Sequence, residues 1–188
     1  MGNDRRWTAA LAEHETVVGD FLAACAGIQP NDWQRAPAQG KWSPAALALH
    51  VCRAYELGRS AIAGGPGMRL LVAPSAAWFA RTVFLPALLA TKRFPRGARS
   101  PREVVPDAAE ASLLSPGTAT ARMKSAADSA AEALRRAAVD HPAIRVTHAY
   151  FGALTPYETL RLLSAHTRHH AAGLAHSAVQ APRQVARR

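Results

Sequence analysis

Thr155-Pro156-Tyr157-Glu158-Thr159-Leu160-Arg161-Leu162-Leu163-Ser164-Ala165-His166-Thr167-Arg168-His169-His170 contains the start of a helix and a chemical signature on the same helix. Thr155 and Glu158 form a capping box, with proline at the first helical position, where its missing N–H is not needed. The pattern predicts a helix from there to about Val179. His166 and His170 are four residues apart and project from one face, the stripe shared by Leu163, Leu174 and Ser177. His169 falls to the side of that stripe and His176 further round.

Working outward, three more segments have the same amphipathic period. From about Asp4 to Gly27, the positions Trp7, Leu11, His14, Val18, Leu22 and Cys25 line one side. Ser43-Pro44 caps a second helix whose stripe is Leu47, His50, Ala54, Leu57 and Ala61, and Gly64-Gly65-Pro66-Gly67 ends it. A third, from about Thr118 to Val139, presents Met123, Ala127, Ala130, Leu134 and Ala137, after a cap at Ser115-Pro116-Gly117 and before a stop at Asp140-His141-Pro142. No segment reads as a strand. The expected architecture is all-α: a four-helix bundle of one domain over residues 1–180, followed by a basic tail, 181–188. Its second and third helices are joined by a long crossover, 65–117, carrying a helix of its own. Within that crossover, Met68 to Ala90 is strongly apolar but interrupted by Pro74, Arg81 and Pro86, and Pro95 to Pro106 reads as loop.

The 188 residues are 49% hydrophobic and only 6% aromatic, with alanine abundant and β-branched residues sparse, which suits helices and argues against a sandwich or barrel. The net charge of +10 is concentrated. No acidic residue lies between Glu56 and Glu103, whereas Arg59, Arg69, Arg81, Lys92, Arg93, Arg96, Arg99 and Arg102 do. A uniformly cationic nucleic-acid coat is not described, and no nucleic-acid-reading motif is present, so no nucleic-acid partner is expected. Two cysteines, Cys25 and Cys52, are too few for a disulfide framework and lie in no CxxC pair, and Met1 to Arg6 lacks a secretion signal. The expected location is the cytoplasm.

His50 lies on the inward stripe of helix two, as His166 and His170 do on helix four. Spacing alone favours ordinary histidines bonded to backbone carbonyls. Three imidazoles aimed at one core are better explained by mutual satisfaction around a cation, because an unpartnered buried imidazole is costly. Three neutral nitrogens would leave a coordination position open, as catalytic rather than structural metals have.

Gly40-Lys41-Trp42-Ser43-Pro44, with His50 six residues after the proline, resembles the opening of the second helix in the DinB/YfiT-like superfamily of metal-binding four-helix bundles. His148-Ala149-Tyr150-Phe151-Gly152-Ala153-Leu154 and His166-Thr167-Arg168-His169-His170 are similar to two further blocks of one branch, and Phe94-Pro95-Arg96-Gly97-Ala98 and Val105-Pro106 resemble its crossover. The resemblance spans about residues 5–180. It implies one divalent ion, nickel or zinc, held by His50, His166 and His170, and an activity such as thiol transfer with a small thiol, isomerisation or hydrolysis. Two positions depart from the family pattern: Ala149 stands where proline usually follows the histidine, and Gly173 where many relatives carry glutamine.

His148, His169 and His14 are candidates for a supporting role beside the ion, His148 at the pocket mouth and His14 from helix one. Cys52, about 200° round the helix from His50, reads as a packed residue, Trp42 as packing at the start of helix two, and Glu158 as a cap. The segment 68–102 supports a rival reading. Trp78, Phe79, Phe84 and Leu85 beside Lys92, Arg93 and Arg96 suit a homodimer contact or, less well, an anionic membrane surface.

Overall fold

The computed structural model describes residues 2–94 and 99–180. The expected tail 181–188, and Pro95 to Ala98 with Arg96 among them, lie outside the described residues. Four long helices form the bundle: α1 (Gly2–Ala26), α2 (Pro44–Ile62), α6 (Pro116–Asp140) and α7 (Pro156–Gln180), and the fold is all-α as expected. Helix α1 packs chiefly on α7, and α2 on α6. Contacts fix the directions. Trp7 meets Tyr157 and Glu13 meets Arg168, so α1 and α7 run parallel, whereas His50 opposite His170 and Gly58 opposite Thr159 make α2 antiparallel to α7.

Helix starts follow the local chemistry that the sequence announces. The Ser43 side chain accepts from the Ala46 amide, Ser115 and Thr118 cap each other, and the Glu158 carboxylate accepts from the Thr155 amide at 2.8 Å. Helix α6 begins at Pro116, two residues before its apolar period does. The core between the helices is filled by Phe21, Tyr55, Met123, Leu134, Leu160 and Leu174, all essentially without solvent contact. Phe21 and Val17, off the single stripe expected for α1, are also buried, because that helix is covered by both α6 and α7.

The crossover is more divided than the one extra helix expected. It comprises α3 (Pro74–Phe79), a π-helical turn (Ala80–Phe84), α4 (Leu85–Thr91), a 3-10 turn (Arg102–Val104) and α5 (Ala108–Leu113). Pro86 supplies a physical reason for the π turn: it has no N–H for the carbonyl four residues back and its ring crowds that group, so the ladder widens just before it. Arg81, which interrupts the apolar run in sequence, forms a bidentate pair with Glu158 (Nε to Oε1 3.3 Å, Nη2 to Oε2 2.8 Å) and so clamps the crossover to the start of α7. Glu158 therefore serves as cap and as ion-pair partner together. At the other end of the bundle, the Trp33 indole N–H donates to the Leu114 carbonyl at 2.7 Å, tying the α1–α2 loop to the end of α5.

The reading that no segment forms a strand is corrected: β1 (Val146–His148) and β2 (Gly152–Leu154) pair antiparallel in the register Val146 with Leu154, Thr147 with Ala153 and His148 with Gly152. The turn closes at Gly152, which takes a φ of 64°. The chain after α2 runs along β1, with the Met68 amide donating to the Thr147 carbonyl and Leu71 to that of Ala149. Gly67 is required in that approach, since a Cβ there would lie 2.9 Å from the Thr147 Cβ. Among the described residues no helix is long and apolar enough to cross a membrane.

Candidate metal centre

Helices α2 and α7 place the three histidines. A lock on the core side sets their relative register: the Tyr55 hydroxyl donates to the Thr167 Oγ1 at 3.0 Å, and Thr167 in turn donates to the Leu163 carbonyl. Because the two helices are antiparallel and Gly58 lies opposite Thr159 and Leu163, His50, about two turns earlier on α2, comes level with the later turn of α7 that carries His166 and His170. The Nε2 atoms of His50 and His166 lie 3.0 Å apart, and those of His166 and His170 2.9 Å apart. One nitrogen from each ring falls within 4.8 Å of the others.

The proton arrangement makes this cluster unusual. A carbonyl only accepts, so the His50 Nδ1 at 2.8 Å from the Val104 oxygen carries the proton, and the neutral ring's Nε2 holds an unshared pair. A proton on the His166 Nε2 can point along only one of its two close contacts. A proton on His170 instead leaves the unshared pairs of His50 and His166 facing each other. No neutral arrangement satisfies both contacts, and an additional proton is disfavoured. Burial, and then repulsion from His170 and His50, holds the His166 pKa well below the ordinary imidazole range; burial and His50 hold His170 down to about 3; and burial lowers His50. Three unshared pairs converging on one point are what a cation requires. With separations of 3.0 and 2.9 Å, and all three nitrogens within 4.8 Å of one another, the rings are close enough to share one ion. The donor set thus fits a divalent ion of the kind imidazole suits.

The surroundings hold the rings in place. Trp42 packs against His50 with ring centroids 4.7 Å apart, and Phe94 lies 5.8 Å from His166 and 5.4 Å from His169. The cluster closes one side of a cavity of about 780 Å³ whose wall is mostly aliphatic and aromatic: Leu57, Phe84, Leu88, Phe151, Leu154 and Leu163 among others. His148 lines it too, stacked on Phe151 at 5.0 Å, with burial pushing its pKa down to about 4. His169 also lines it although its side chain is largely exposed.

His14 is placed elsewhere. It is buried on α1, edge-on to Tyr55 at 5.5 Å and on the bundle side away from the cavity, with no partner for its Nε2 among the described residues. Cys52 and Cys25 are packed core thiols, both pushed up to about 12 by burial, and neither lies with the histidines. Gly173, three residues beyond His170 on α7, is exposed, with open space where a Cβ would stand. Sequence reading missed Tyr150, Met68, Arg93 and Arg99 as cavity residues. Their only signal was adjacency to the motif blocks, because loop and hairpin positions have no period from which a facing can be read.

Fold and site together define a class: a helical bundle in which two facing helices carry a three-histidine group that could hold a metal ion. The sequence model of the DinB superfamily matches residues 13–172, which include all three histidines. The chain belongs to the DinB superfamily. Comparison with curated proteins and with solved structures gives no match.

Proposed function

We propose that the protein is a metal-dependent enzyme in which His50, His166 and His170 hold one divalent ion, zinc or nickel, and a small thiol or a water molecule is the nucleophile. The observation that carries this reading is the convergence of three proton-poor Nε2 atoms on the edge of a large apolar cavity. A divalent cation bound there supplies the charge that lowers the pKa of a neighbouring thiol or water into the neutral range. The chain's own residues do the rest. Val104 fixes the His50 tautomer, Trp42 and Phe94 hold ring orientation, and the apolar wall keeps bulk water from the substrate. The reaction class is thiol transfer or hydrolysis. With both cysteines free and buried, a reducing compartment suits the chain, and we place it in the cytoplasm.

The test is metal analysis of protein purified without a nickel column, in parallel with His50→Ala and His170→Ala. About one ion per chain is expected in the parent and a stoichiometric loss in both variants; a parent free of metal ends the proposal.

A second reading, a non-catalytic module that forms a homodimer, draws on the exposed face of α3 and the π turn, where Trp78 is 66% and Phe84 58% accessible. Sedimentation equilibrium of the parent and of Trp78→Ser/Phe84→Ser separates the two: a dimer that the double substitution dissociates, in a chain without metal, favours the module. Co-sedimentation with anionic vesicles tests the membrane alternative in the same pair.

A further inference from the structure

Among the described residues, the wall of the cavity contains no aspartate or glutamate, and its only permanently charged side chains are Arg93 and Arg99. Both are exposed and so stand at the solvent edge, whereas His50 at the other limit of the cavity is 2% accessible. Neither arginine has an ion-pair partner among the described residues, although neighbouring cations do. Lys92 pairs with Glu13, and Arg81 with Glu158.

The backbone is built to keep the two arginines there. Lys92 ends α4 with a φ of 57°, the left-handed conformation that non-glycine residues seldom adopt. That turn sends the Lys92 side chain to Glu13 and the following residue, Arg93, back over the cavity. On the far side, the Tyr150 hydroxyl donates to the Arg99 carbonyl at 2.7 Å and fixes that residue against the hairpin.

We infer that the cavity binds a molecule with an apolar body and a carboxylate head, the head held by Arg93 and Arg99 and the body running along Leu88, Phe84 and Leu163 toward the histidines. This deepens the reading above by naming the substrate class, and rests on it only for the end at which the substrate reacts. A body rich in hydroxyls would lose water against aliphatic walls that return few hydrogen bonds. A cationic ligand meets two guanidinium groups and no counter-charge. A carboxylate gains charge-assisted bonds at the rim while its chain displaces water from an apolar surface.

Decanoate and decanamide serve as probes, titrated calorimetrically into chelator-treated protein and into protein loaded with zinc. Decanoate is expected to bind once per chain with or without the metal, and decanamide about 10- to 100-fold more weakly, the fold-change that a charged hydrogen-bonding partner commonly carries. Arg93→Ala/Arg99→Ala should bring decanoate down to the level of decanamide without changing decanamide, and Arg93→Lys/Arg99→Lys should retain most of the difference. Both positions are exposed, so folding is not at stake. Equal binding of decanoate and decanamide, or none of either, overturns the inference. So does decanoate binding that requires zinc, disappears in His50→Ala and ignores the arginine substitutions, since the carboxylate would then sit on the ion. Metal content enters none of the chelated measurements, so a failure here is distinguishable from a failure of the metal reading.

Discussion

Removing His170 should have opposite consequences with and without metal. In the metal-free protein the His166 Nε2 lies 3.0 and 2.9 Å from two other ring nitrogens that no neutral proton arrangement can satisfy together. His170→Ala relieves that crowding at a half-buried position on the cavity wall, where truncation opens no enclosed core hole. The metal-free variant should therefore unfold within about 2 °C of the parent or above it, rather than showing the ~2–5 kcal/mol loss of a core truncation. With zinc at about 100 times its Kd, the parent gains about 2.7 kcal/mol by mass action. For a chain of this size each kcal/mol moves Tm by about 2–4 °C, so the parent should rise by about 5–11 °C and the variant by less than about 2 °C. Thermal unfolding followed by circular dichroism, with chelator and with metal, gives all four values. Equal shifts in parent and variant would place the ion elsewhere. A metal-free variant that melts many degrees lower would mean that the histidines are held by bonds to one another, and the argument from unsatisfied nitrogens would be wrong.

Three further outcomes follow from particular contacts. His148 is held neutral by burial, with its pKa near 4 against an ordinary 6.5. Between those values the unfolded chain takes up a proton that the folded one refuses, so stability falls as pH drops through this window, by up to about 3 kcal/mol below it. His148→Phe should make urea unfolding less sensitive to the change from pH 7 to 4.5, and parallel pH profiles would refute this. Arg122 joins Glu56 on α2 and Glu110 on α5 to α6, and Arg122 and Arg53 hold the Glu110 carboxyl below its usual range. Arg122→Ala should lower Tm at pH 7, and the deficit should shrink as the pH falls through the lowered pKa of Glu110 and that carboxylate takes up its proton; a Tm deficit that stays the same across that fall in pH would contradict the network. Gly67→Ala should cost about 1–3 kcal/mol by driving a methyl into Thr147, with hydrogen exchange accelerated at the Met68 amide. Unchanged exchange there would show that the hairpin tolerates the methyl.

Helices were legible wherever one face is buried and the ends carry caps. Ser43, Ser115 and Thr155 mark three of the four long helices, and the α6 stripe reaches the core in the register that the period gives. On α2, by contrast, the most buried residues, Leu49, Val51 and Tyr55, lie off the expected stripe, and Leu47 and Leu57 are only partly buried. The hairpin was not legible because each strand is three residues long, too short for an alternation to show. Its pairing is imposed by the chain beside it and by Gly152, not by strand propensity. Nor could Arg81 be read. In sequence it is a charge inside an apolar run, and only tertiary structure brings Glu158 to it.

The histidine cluster stands between these cases. His166 and His170 share a face by spacing alone, and a helical period can establish that. Convergence with His50, more than a hundred residues away, needs a second fact: that α2 is antiparallel to α7 and locked to it at Tyr55 and Thr167. Periodicity says which side of a helix is inward but nothing of height along a neighbour, and height is what turned two inward stripes into one site while sending the equally inward His14 to the far side of Tyr55. An exchange that weakens the lock without touching any imidazole, Thr167→Val, leaves the Tyr55 hydroxyl buried without its partner and should cost about 1–3 kcal/mol. If register is what brings the nitrogens together, zinc affinity must fall in that variant too. Affinity unchanged alongside a clear loss of stability would show that the helices hold the three rings in line without the Tyr55–Thr167 bond.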